Sequence, residues 1–102
     1  MIPASFLSAV PGRGPAMTIL VLATSRDPHR QTEALRAALG LTLRGARVEV
    51  IATAPLITPL ARRLADTLRS FGHGVTHADP AGESDDVVED ALARADRVEV
   101  WT

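Results

Sequence analysis

The sequence predicts an α/β fold, a three-layer α/β/α domain built on a mostly parallel sheet of about four strands. Three observations predict it. Strand-like and helix-like patterns alternate along the chain in the order βαβαβαβ. The first strand pattern, Ile19 to Ala23, is apolar without alternation, as in a strand covered on both faces. A complete βαβ unit is legible between Thr18 and Thr53, in about the length such a unit needs.

The elements follow in order. The first strand spans Thr18 to Thr24. The first helix has start and stop signals: Asp27 as cap, Pro28 at the first helical position, Gly45 at the end. Leu35, Ala38, Leu39 and Thr42 form its apolar stripe, flanked by Ala34 and Leu41. Gly40 lies inside this helix at a cost of about 1 kcal/mol relative to Ala, and close packing on the sheet is the expected reason. The second strand, Arg47 to Thr53, points Val48, Val50 and Ala52 one way and Glu49, Ile51 and Thr53 the other. Thr58 and Pro59 then open a second helix that runs to about Ser70. Leu60, Leu64, Leu68 and Phe71 mark its inner stripe with Ala61 and Ala65; Arg62, Arg63, Asp66 and Arg69 mark its wet face.

Gly72 and Gly74 precede a short third strand that ends at His77 or Ala78. After the turn-rich DPAGES, Ser84 caps a third helix, with Val88, Ala91, Leu92 and Ala95 inward. Glu83, Asp85, Asp86, Glu89 and Asp90 read as a solvated face. The last strand, Arg97 to Trp101, alternates: Val98 and Val100 on one face, Arg97, Glu99 and Trp101 on the other. One of these faces is therefore polar or meets a partner. Residues 1–16 hold a broken apolar patch and a Pro/Gly cluster, with no basic segment before Phe6. They read as a disordered tail, or as sequence upstream of a true start at Met17. The domain is then residues 17–102.

Composition narrows the function. The chain has 102 residues, 46% hydrophobic and 23% charged, with a net charge of −1. That balance gives no electrostatic case for nucleic acid or an anionic membrane. Phe6, Phe71 and Trp101 are its aromatics, too few for a base-stacking platform. No apolar run approaches the roughly 18 residues of a membrane span. Cysteine is absent, which excludes disulfides, thiolate metal sites, persulfides and cysteine nucleophiles.

A parallel sheet places ligand sites at the carboxyl ends of its strands. The polar residues there are Ser25, Arg26, Asp27, His29 and Arg30 after the first strand, Thr53 and Thr58 after the second, and His77 and Asp79 after the third. Ser25, Arg26, His29 and Arg30, at a helix start, are the best anion-binding candidates, with Thr53 and His77 as further ligand-binding candidates. The competing reading is a plain helix start: the loop has no glycine to admit a phosphate to the backbone, and no P-loop or dinucleotide fingerprint exists. His77 and Asp79, two residues apart, are the acid–base candidates, against a solvent-exposed His and a turn Asp. A metal site on His73 and His77 is disfavoured by Gly72 and Gly74, which oppose a helix there. Ser25 lacks the G-x-S-x-G context of a hydrolase nucleophile. Trp101 is a candidate interface anchor, the alternative being packing beneath the first helix or the N-terminal segment.

The opening strand TILVLATSRDP, the stretch TLRGARVEVIAT and the closing ADRVEVW resemble the DsrE/DsrF/DsrH family, which includes the Tus sulfur-relay subunits. The resemblance covers most of Met17 to Thr102. It implies a small α/β protein that assembles as a homo-oligomer, a trimer or hexamer, or with related subunits. The family's sulfur-transfer members carry a persulfide cysteine in a loop after a later strand. The comparable HGVTHADPAG has none, so that role is carried to no residue. The expectation is an accessory or diverged sulfur-relay-type subunit without its own transferase chemistry, cytoplasmic and without a cofactor. One alternative is a flavodoxin-like domain holding FMN or another phosphate-bearing ligand at Ser25–Arg30. Another is an interaction module with no ligand.

Overall fold

The computed structural model describes residues 17–78 and 85–102. The proposed tail at residues 1–16, the Ser84 cap and Asp79 lie outside them. Four strands and three helices alternate among the described residues: β1 (Thr18–Ala23), α1 (Pro28–Leu43), β2 (Arg47–Ala52), α2 (Pro59–Ser70), β3 (Gly74–His77), α3 (Asp85–Arg94) and β4 (Arg97–Trp101).

All strands are parallel, in the order β3-β2-β1-β4. The first two crossovers step in one direction along the sheet, and the third returns past β1. Right-handed connections therefore place α1 and α2 on one face and α3 on the other. The core divides accordingly. Ile19, Val21, Val48 and Val50 pack with Ala34, Leu35, Ala38, Ala61 and Leu68 beneath α1 and α2. Leu20, Ile51 and Ala78 pack with Ala91 beneath α3. Neighbouring residues of β1 thus enter opposite layers, which accounts for a first strand that is apolar throughout.

The helix ends follow from local chemistry. Asp27 and Thr58 cap α1 and α2, and each is followed by proline. Gly45 and Gly72 sit at φ +92° and +88°, the left-handed conformation in which a side chain would be strained, and end the same two helices.

Three expectations need correction. Gly40 is exposed, and a β-carbon there would meet nothing within 4 Å. Close packing does not explain it. Phe71 is 60% exposed because it is the C-cap of α2, at φ −91° and ψ 7°, where the chain leaves the helical phase. Leu60 and Leu92 also remain exposed, so the buried stripes of α2 and α3 rest mainly on alanines. On β4, the mixed face of Glu99 and Trp101 is half-buried on the α1 side, while Val98 and Val100 are exposed on the α3 side.

Candidate functional site

The reversal in strand order makes the carboxyl ends of β1 and β4 the natural crevice of this sheet. Here the chain itself bridges it. The Thr24 backbone N–H and hydroxyl both donate to the Trp101 carbonyl, at 2.9 and 3.2 Å. From α1, the Arg30 Nε donates to the Thr102 carbonyl at 2.9 Å.

The start of α1 is also supplied from within. The Asp27 carboxylate accepts from the His29 N–H at 3.3 Å. The Ser25 hydroxyl accepts from the Asp27 N–H at 3.0 Å. Pro28 has no N–H to offer, and the Gln31 N–H donates to the Asp27 carbonyl at 3.0 Å. A carboxylate therefore sits where a bound anion would receive the helix donors. His29 lies 3.4 Å from Glu33, one turn on. Arg26 is exposed.

Gln31 organises this end of the molecule, and sequence reasoning passed over it. Its side chain is 2% exposed. Its amide N–H₂ donates to the Ser25 carbonyl at 3.1 Å and the Pro55 carbonyl at 2.9 Å. Its amide oxygen accepts from the Ile57 N–H at 3.0 Å. One side chain thereby ties the loop after β1 to the loop after β2. The signal was present: Gln31 stands one turn before Ala34 and Leu35 on the stripe that continues to Ala38. A polar residue in that phase needs buried partners. Thr58 adds a second tie. Its hydroxyl accepts from the Ala61 N–H at 3.1 Å and lies 3.5 Å from the Thr32 hydroxyl.

Thr53 follows β2, is half-buried, and donates its backbone N–H to the Ala23 carbonyl at 3.0 Å. His77 pairs with Ala52 at the far edge of the sheet. Because β2 intervenes, His77 is not grouped with Ser25–Arg30. It opens instead on a shallow cleft of about 360 Å³ with Pro55, Leu56, Arg62, Asp66 and Arg69. Both guanidinium groups there are engaged. Arg62 donates to the Leu56 and Ile57 carbonyls at 3.2 and 3.1 Å. Arg69 donates to Asp66 and to the Val75 carbonyl at 3.2 and 3.1 Å. A second cleft, about 460 Å³, lies at the amino ends of the strands. In it Arg94 forks onto both Glu49 oxygens, at 3.0 and 2.8 Å, and His73 Nδ1 accepts from the Val48 N–H at 3.1 Å.

Trp101 is half-buried against the core on the α1 side. Among the described residues, no group of three His, Cys, Asp or Glu side chains could hold a metal ion, and no helix is long and apolar enough to cross a membrane. Against these features, no protein-family description, no curated protein and no solved structure matches the chain.

Proposed function

We propose that this protein is a DsrE-like accessory subunit, a self-associating α/β scaffold without sulfur-transferase chemistry of its own. The observation that carries the reading is the state of the crevice between β1 and β4. The His29 and Gln31 N–H groups, the Ser25 and Pro55 carbonyls and the Arg30 Nε are committed within the chain, to Asp27, to the Gln31 amide and to the Thr102 carbonyl. A ligand would have to break these bonds before making its own, and each costs free energy to leave unmade. The cysteine-free sequence supports the same reading, since a persulfide cannot be carried without a thiol.

The flavin alternative has less support. In flavodoxin-like sheets the first strand lies between the second and third. Here β1 lies between β2 and β4. The Asp27 carboxylate also opposes a phosphate at the start of α1.

Titration with FMN, followed by its fluorescence, and with inorganic phosphate, followed by the thermal midpoint, tests the reading. Neither signal is expected to change. Saturable quenching of FMN, or a phosphate-dependent rise in midpoint that Arg26→Ala abolishes, would overturn it.

A further inference from the structure

We infer that the open edge of β4 is the self-association surface, and that its occupant is a second copy of this chain adding its own β4 antiparallel about a two-fold axis. The inference rests on the scaffold reading and specifies its contact, a two-fold pair in place of the trimer or hexamer that the family resemblance implies. Among the described residues β4 ends the sheet, with β1 on one side. The Trp101 carbonyl points at β1, where it accepts from Thr24. By the alternation of a strand backbone, Val98 and Val100 turn their own N–H and C=O groups to the open side.

The side chains agree. Val98 and Val100 occupy the α3 face and are 39% and 58% exposed. α3 packs over Leu20 of β1 and Ile51 of β2, and no other described element covers this end of the sheet. Beside the valines stand one cation and one anion. Arg97 and Glu99 share the opposite face and meet at 2.5 Å.

These charges select both the partner and the register. Placing Val98 opposite its own symmetry mate sets Arg97 opposite Glu99 of the second copy, and the two-fold axis makes that contact twice. It also sets the outward-facing N–H and C=O groups of Val98 against those of its mate, as a hydrogen-bonded antiparallel pair requires, and puts Val100 opposite Asp96, whose N–H stays on its own Thr18 carbonyl. A slip of two residues would oppose Glu99 to Glu99, a like-charge pair that is destabilising. The charges that guard an edge strand against foreign strands are here complementary to their own image. A two-fold contact of this kind is self-complementary and closes at two copies. The other edge lacks these features: in β3 only Val75 is buried, and Gly74, Thr76 and His77 are exposed and polar or small.

Sedimentation and light scattering on the full chain test the inference. The expected mass is twice the 10.8 kDa of the chain. Arg97→Glu and Glu99→Arg are each expected to weaken the dimer about tenfold, and the double exchange to restore it, because two attractive pairs become repulsive in the singles. Val98→Lys is expected to leave monomer, with circular dichroism confirming the fold. Should that variant fail to fold, Val98→Thr, which keeps the branched shape, supplies the same readout. A wild-type monomer at every concentration overturns both this inference and the scaffold reading. An oligomer that survives Val98→Lys and both charge reversals overturns the β4 edge alone. A double exchange no tighter than the singles overturns the register and with it the two-fold contact.

Discussion

Replacing Gln31 with Leu keeps most of the side-chain volume but strips the Ser25 and Pro55 carbonyls and the Ile57 N–H of their buried partner. Unsatisfied buried groups cost more than the bonds themselves return, so a loss of about 2–3 kcal/mol is expected, read as a lower urea midpoint. Gln31→Glu sharpens the test. A buried carboxylate would face two carbonyl oxygens, and burial favours its neutral form. The folded-state pKa of the introduced acid is therefore raised. Its penalty is largest at neutral pH and is relieved as pH falls through that raised value, when the carboxylic acid can donate. A urea midpoint for Gln31→Glu that is flat from pH 7 to pH 5, as ordinary titration allows, would contradict this account. The glycines divide in the opposite sense. Gly40 lies in a helix facing open space, so Gly40→Ala is expected to raise stability by about 0.5–1 kcal/mol. Gly45→Ala and Gly72→Ala force a side chain into the left-handed region and are expected to lower it by about 1 kcal/mol each. Thermal melts of the three variants check both signs.

At the scale of elements, start and stop residues carried most of the information. Asp27-Pro28, Thr58-Pro59, Gly45 and Gly72 each act in the structure as their chemistry requires. The facing of β2, with Val48, Val50 and Ala52 on one side and Ile51 on the other, was likewise legible from alternation. Other features lay beyond local pattern. Phe71 fits a helical stripe in the sequence, yet the cap conformation rotates it into solvent. Alternation separates Val98 and Val100 from Glu99 and Trp101 but does not say which face is covered; α3 is centred over β1 and β2, so the valines stay exposed. Gln31 was overlooked because its partners are backbone groups of two loops, brought near only by the fold. Thr58 offers a test at this scale. Its hydroxyl caps α2, so Thr58→Ala is expected to cost about 1 kcal/mol, whereas Thr58→Ser should cost less than half of that. Equal losses would show that the methyl group, and not the cap, is what α2 uses.

For the whole molecule, the order of elements was readable but the order of strands was not. A right-handed crossover from β3 permits β4 to sit at either side of the sheet. Its place beside β1 decides two things at once. It puts the ligand crevice of the fold at Ser25–Arg30, where Ser25, Asp27 and the Thr102 carbonyl take up the Asp27 and His29 N–H groups and the Arg30 Nε. It also makes β4, among the described residues, an open edge flanked by exposed valines. Both support the proposed self-associating scaffold. Amide hydrogen exchange at Val98 and Val100, measured on concentrated and on dilute protein, tests that claim most directly, because these N–H groups face away from β1. Slow exchange at high concentration that becomes fast on dilution, while the amides of β1 stay protected throughout, is the predicted result. Fast exchange of both valines at every concentration would contradict the account.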